Sequence, residues 1–179
     1  FDEHLRKMLL IRAGHRYVSK NNYNVGRIEY LSKLYPDAFF IVPIRNPVTH
    51  AHSLVSQHLR FCDYSRALPR VAPYLQAAGH FEFGPQRIPI QFDTSAATRT
   101  LEHWHRGDDY RGYAVQWNEV YGYVHRLRDS SQQLAEKIHL ARYEDFCKSP
   151  EQSFTNLLQK VGLAHTCHVS LKHISAVEP

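Results

Sequence analysis

Arg45, Asn46 and Ser53 are the residues of this sequence whose types and spacing point most directly to chemistry. Arg45 follows an apolar run, Ala38–Ile44, and its planar guanidinium suits a phosphate. Asn46-Pro47 then opens a helix, with the asparagine as cap and the proline in the first turn, where its missing donor does no harm. Free N–H groups at a helix start favour anions. Ser53, five residues beyond Val48, lies about 140° around that helix from it. It therefore falls off the apolar stripe of Val48, Ala51, Val55 and Leu59, and its hydroxyl can close a phosphate pocket from the flank. A local salt bridge to Arg45 and a merely solvated Ser53 account for the same pattern. His80 and Glu82, in Gly79-His80-Phe81-Glu82-Phe83-Gly84, are candidates for acid–base work, because apolar flanks raise a carboxyl pKa. His58 is another candidate base. Each of the three also reads as a structural or surface residue.

These side chains need a scaffold, and segments of opposite periodicity alternate along the chain as in α/β architecture. Arg16–Lys20 reads as a short strand. Asn24–Tyr35 reads as a helix through Val25, Ile28, Leu31 and Tyr35, stopped by Pro36. Ala38–Ile44 reads as a parallel strand covered on both faces, with Pro43 at its end or an edge. The spacing predicts a short helix near 69–78, an irregular loop from Gly79 to Thr98, and helices over 97–106 and 114–128. Trp117, Val120, Tyr121, Val124 and Leu127 share a face of the last of these. Lys137–Ala141 reads as a third strand. A final helix is signalled by Ser149 as cap, Pro150, Gln152 in a capping box, a core face of Phe154, Leu157, Leu158 and Val161, and Gly162 after its end.

Composition narrows the classes. With 179 residues, 43% hydrophobic and 22% charged, the chain reads as a single globular domain. No apolar run approaches the ~18 residues of a membrane span. Cys62, Cys147 and Cys167 are an odd set without a CxxC pair, neither a disulfide framework nor a zinc ribbon, and they suit a cytoplasmic setting. The net charge of +5 favours anionic partners, but the basic residues are too scattered to indicate nucleic acid. His50-Ala51-His52 and His103-Trp104-His105 fall in helical segments, where residues two apart diverge, so neither reads as a metal site. His165, Cys167 and His168 could chelate, but read as coincidence. Arg142-Tyr143-Glu144-Asp145 reads as a turn, capped by Glu144 or Asp145 pairing with Arg142, rather than as a catalytic cluster.

Several of these pieces resemble the sulfotransferases that use 3′-phosphoadenosine 5′-phosphosulfate (PAPS). They are Tyr35-Pro36-Asp37-Ala38 before the strand, Ile44-Arg45-Asn46-Pro47 after it, Ser53 at the family's arginine-to-serine spacing, and Trp117–Tyr121. Ala141-Arg142-Tyr143-Glu144-Asp145-Phe146 and Lys148-Ser149-Pro150-Glu151 complete the set. The resemblance covers roughly residues 15–163, discontinuously. It implies a P-loop-containing, nucleotide-hydrolase-like three-layer α/β/α fold with a parallel sheet, and transfer of a sulfuryl group from PAPS to a hydroxyl or amine, leaving adenosine 3′,5′-bisphosphate, without a metal. By position, Arg45 and Ser53 would hold the 3′-phosphate, Tyr121 or Trp117 would lie near the adenine, and Lys20 near the transferred sulfate, where a fixed cation stabilises the departing charge.

Two departures qualify the implied site. Asn22 stands where cytosolic members carry a histidine base, and an amide takes up no proton at neutral pH. It could orient the acceptor or the sulfate. No glycine-rich lysine loop for the 5′-phosphosulfate precedes Lys20, so the domain is expected to be incomplete at its N-terminus, with that loop upstream of Phe1. The loop from Gly79 to Thr98 is the expected acceptor lid, with Arg87 and Arg99 placed to meet an anionic acceptor such as an acidic sugar. A carbohydrate or small molecule is the expected acceptor. The alternatives are a non-catalytic nucleotide-binding or interaction module of the same fold and a P-loop kinase-type phosphotransferase. No motif encodes an oligomeric state.

Overall fold

In the computed structural model, which describes residues 2–163, the apolar run becomes β1 (Phe40–Ile44). It pairs in parallel with β2 (Ile138–Arg142), Phe40 opposite Ile138 through Ile44 opposite Arg142. The two form a two-stranded sheet in a chain that is 67% helical, so the class is mixed α/β with helix dominant. In order, the other elements are α1 (Asp2–Ile11), a 3₁₀ segment (Asn22–Arg27), α2 (Ile28–Leu34), α3 (Pro47–Ala67), α4 (Val71–Ala77), α5 (Thr94–His105), α6 (Asp109–Ser130), α7 (Gln132–Lys137), α8 (Tyr143–Lys148) and α9 (Pro150–Lys160). Helices α3 to α7 thus form the crossover between the strands. Among the described residues no helix is long and apolar enough to cross a membrane.

One face of the sheet closes a core. Ile28 of α2, Val124 and Leu127 of α6, Leu134 of α7 and Ile138 of β2 are buried together, with Phe40 and Val42 packed against them. On β1's opposite face Ile41 is half exposed, while Phe39, just before the strand, stacks on His139 at 5.6 Å. Pro43 sits inside the pairing without disrupting it. Its carbonyl accepts from the Tyr121 hydroxyl at 2.9 Å. In a parallel strand a residue's N–H and C=O point the same way, so the missing donor faces α6 rather than β2.

A second core holds α3, α5 and α6 together through Ala51, Val55, Trp104 and Tyr113. Gly112 makes this approach possible, since a Cβ there would lie 2.3 Å from Trp104 Cδ1. The Arg87 guanidinium lies over the same indole, 4.3 Å from its centre, and pairs with Asp109.

Several expectations are corrected. Arg16–Lys20 is not a strand: it is exposed irregular backbone with no pairing partner among the described residues, anchored by Arg16 Nη1 donating to the Val161 carbonyl at 2.7 Å. The helix over 24–35 divides into a 3₁₀ segment and α2 around Gly26, a poor helix former, and ends at Tyr35 before Pro36. Val48 and Leu59 leave the buried stripe of α3, because that helix meets α6 along Ala51 and Val55. At α9, Pro150 and Gly162 (φ +69°) mark the ends as expected, but the capping box does not form. Ser149 also ends α8, donating its N–H to the Asp145 carbonyl, and Gln152 bonds Asn156 instead. Residue 94 already begins α5, which shortens the irregular loop. Helices α1, α7 and α8 had no counterpart in the sequence reading. His165, Cys167 and His168 lie outside the described residues.

Gly112→Ala is expected to cost about 1–3 kcal/mol in urea unfolding, the range for overpacking a filled core. Gly122→Ala, on the same helix, meets only the flexible end of Arg126 and is expected to gain up to about 1 kcal/mol. Equal effects of the two would contradict this account of the α5–α6 contact.

Candidate functional site

The carboxyl end of β1 leads directly into α3, and the turn is held from three sides. Asn46 caps the helix, its Oδ1 accepting from the N–H groups of Val48 (2.9 Å) and Thr49 (3.4 Å). The Asn46 N–H donates to Glu144 Oε1 at 2.7 Å, which joins the turn after β1 to the first turn of α8. That bond, with Arg142 and Arg45 nearby, holds the Glu144 carboxyl below its ordinary range. Trp117 Nε1 donates to the Arg45 carbonyl at 3.2 Å. The Arg45 guanidinium is left on the surface, 4.8 Å above the Tyr143 ring, with Nε donating to Thr49 Oγ1 at 3.2 Å.

From Arg45 an open groove of about 700 Å³ runs along α3, lined by Arg45, Thr49, Ser53, Ser56, Gln57 and Arg60, with Phe61 at the far end. Arg45 and Ser53 therefore belong to one concavity, as their spacing suggested. Carboxylates are missing from its lining, and among the described residues Arg60 makes no hydrogen bond or ion pair. The helix N–H groups of Val48 and Thr49 are already bonded to Asn46, so side chains supply the charge and donors here.

A second constellation assembles behind α3. Glu82 is 8% exposed and accepts from Asn22 Nδ2 on Oε1 at 2.6 Å. His80 Nδ1 stands 3.6 Å from its Oε2. The Tyr113 hydroxyl donates to the Glu82 carbonyl at 2.9 Å, and the Tyr23 hydroxyl accepts from the Phe81 N–H at 3.0 Å. Burial pushes the Tyr113 hydroxyl up to about 12, and burial with the nearby Glu82 raises Tyr23. Three residues named from sequence, Asn22, His80 and Glu82, thus meet across sixty positions of chain.

The loop carrying Glu82 is anchored to α3. The Gly84 N–H donates to His58 Nδ1 at 3.2 Å, and Phe83 stacks on Phe61 at 4.7 Å. Phe61 also lines the groove, so the two sites adjoin through one ring pair. His58 serves as this anchor. Burial and the charge of Arg87 hold its pKa down, keeping the acceptor nitrogen unprotonated near neutrality.

The remaining named residues fall as follows. Lys20 is exposed and makes no hydrogen bond or ion pair among the described residues. Trp117 and Tyr121 pack at 4.7 Å with their polar atoms committed to the carbonyls of Arg45 and Pro43, and neither is among the groove's lining residues. Arg87, expected at an acceptor lid, is instead buried against Trp104, Tyr113 and Asp109; Arg99 is exposed beside Ser95. Nor does the Gly79–Thr98 stretch hang open, since Glu82, Phe83, Gly84 and Pro89 are buried. Glu144 holds a structural position, though its partner is Asn46 rather than Arg142. His50 packs toward Tyr121 and His52 toward Tyr110. Among the described residues no group of three or more His, Cys, Asp or Glu is placed to hold a metal ion. Sequence reasoning missed Thr49, Ser56, Gln57 and Arg60, although their recurrence on the helical face of Ser53 was a usable signal.

Together these features define a mixed α/β chain with an arginine-lined groove at the end of a parallel strand. Compared with family models, curated proteins and solved structures, the chain finds no match.

His58 and His50 are both held below the ordinary histidine pKa, chiefly by burial. The unfolded chain, with histidine near ~6.5, therefore binds protons first on acidification. Their contribution is full above that pH and is lost as pH falls through the folded values. The urea midpoint should drop between about pH 7 and 5.5, and the drop should be smaller in His58→Gln. An unchanged drop in that variant would remove His58 from this account.

Proposed function

We propose that this chain is a sulfotransferase of P-loop-like fold that moves a sulfuryl group from PAPS to a hydroxyl or amine acceptor. The observation that carries the reading is the meeting of Arg45 and Ser53 in one groove at the carboxyl end of a parallel strand. Ligands of open α/β sheets bind at strand ends. The Arg45 fork takes the 3′-phosphate by charge-assisted hydrogen bonds, with Ser53 supplying a neutral donor.

In the transfer, the acceptor oxygen or nitrogen bonds to sulfur as the bond between sulfur and the bridging oxygen breaks, and adenosine 3′,5′-bisphosphate leaves with that electron pair. The acceptor's proton goes to a base. His80 is half exposed and presents its outer nitrogen, while Glu82, almost wholly buried, faces its inner one. A carboxylate so placed orients an imidazole and stabilises the imidazolium. Asn22 in turn holds Glu82, which gives a role to an amide where a base was expected. Lys20, two residues upstream, meets the charge developing on the leaving group.

Titration calorimetry with adenosine 3′,5′-bisphosphate tests the nucleotide site. Binding is expected, and Arg45→Ala should weaken it by about 1.5–3 kcal/mol, the size of a hydrogen bond to a charged group. Ser53→Ala should cost about 0.5–1.5 kcal/mol, the range for a neutral one. Binding indifferent to Arg45 would place the nucleotide elsewhere and end this reading.

A further inference from the structure

The groove along α3 is longer than one phosphate requires. Thr49, Ser53, Ser56 and Arg60 recur at intervals of four, three and four, which places them within about 60° of one another on a single helix face. Arg60 lies thirteen residues beyond the start of α3, about 20 Å along its axis. Arg45 precedes that start. The two backbone positions are thus about four helical turns apart, which leaves the Arg60 end room for a second anion.

No described residue occupies Arg60. It is exposed, and it makes no hydrogen bond or ion pair among the described residues. The nearest acid in sequence on α3, Asp63, is paired with Arg66. Arg87, also basic, is withdrawn into the α5–α6 core by Asp109 and two aromatic rings. Arg45, by contrast, is partly engaged with Thr49 and Tyr143. Between the two ends the groove offers hydroxyls and an amide beside the His52 ring and the exposed Val48, and at the Arg60 end Phe61 presents a ring that also touches Phe83, next to Glu82.

We infer that the Arg60 end of the groove is a second anion subsite that binds a carboxylate or sulfate group of an acidic oligosaccharide acceptor. Hydroxyl and amide side chains between fixed charges match a chain of sugar hydroxyls punctuated by anionic groups. An aromatic ring at the end suits the apolar face of a sugar ring. The guanidinium fork takes a planar carboxylate or a sulfate in bidentate fashion. The subsite stands on the groove alone; the word acceptor rests on the sulfuryl-transfer reading.

The test titrates the whole chain, at fixed salt, with three probes: adenosine 3′,5′-bisphosphate, a sulfated uronic-acid-containing hexasaccharide, and the same hexasaccharide desulfated and carboxyl-reduced. The acidic sugar should bind and the neutral one should not. Arg60→Ala should weaken the acidic sugar about tenfold or more and leave the nucleotide within about twofold, while Arg45→Ala does the reverse. Arg60→Lys should recover only part of the loss, since it keeps the charge without the fork. Unchanged thermal unfolding of Arg60→Ala would exclude a folding defect. The inference is overturned if Arg60→Ala leaves sugar binding intact, if the neutral sugar binds equally, or if Arg60→Ala weakens the nucleotide as much as Arg45→Ala does. Arg60-dependent sugar binding without nucleotide binding would uphold the subsite and remove the sulfotransferase reading. Nucleotide binding without sugar binding would do the opposite.

Discussion

Backbone polar groups at the carboxyl end of β1 outnumber the partners that a two-stranded sheet can offer. Where the sheet offers no partner, side chains from neighbouring elements supply the donors and acceptors. Helix α6 supplies two, the Tyr121 hydroxyl to Pro43 and the Trp117 indole to Arg45. The first turn of α8 supplies the third, Glu144 to the Asn46 N–H. These bonds hold the backbone of residues 43–46 and so decide where the Arg45 side chain starts. With its carbonyl held on the α6 side, the guanidinium reaches across Tyr143 and toward Thr49.

Helix α3 then acts as the common ruler of the molecule. Ala51 and Val55 fasten it to α5 and α6, leaving an exposed polar face of hydroxyls between two arginines. On its inner side, His58 and Phe61 anchor the loop that bears His80 and Glu82. The two chemically suggestive regions are therefore fixed relative to one another by a single rigid element and one pair of stacked rings. Such a loop is positioned rather than swinging: it has Glu82 buried, Gly84 bonded, Arg87 paired and the Glu82 carbonyl held by Tyr113.

What was legible in the sequence follows the range of the interactions involved. Strand β1, the α3 start at Asn46-Pro47 and the stop before Pro36 rest on local preferences, and they are found where the pattern puts them. The placing of Arg45 and Ser53 in one groove was readable because both lie on one turn-and-helix unit. The strand expected at Arg16–Lys20 fails because a strand needs a partner, and none stands beside it among the described residues. The capping box at Ser149 fails because that residue closes α8 at the same time, a conflict that only the assembled backbone reveals. His80 and Glu82 were visible as residue types, whereas their meeting with Asn22 depends on tertiary packing. Tyr23 and Tyr113, which hold that loop, carry no local signature at all.

The arginines show how packing rather than residue type assigns a role. Arg87 was as plausible an anion ligand as any from its position in an irregular stretch. In the fold an acid and two rings meet its charge, and its side chain is 11% exposed, so it contributes to the α5–α6 core. Arg99 projects from α5 beside Ser95 and near the Asp93 carboxylate. Arg45 and Arg60 share a concave surface whose lining lacks carboxylates, and they stand at opposite ends of it. Burying an unpaired guanidinium is prohibitive, whereas leaving one exposed along a groove costs little and leaves it able to bind. The same electrostatic rule therefore makes Arg87 structural and leaves an arginine at each end of the α3 groove.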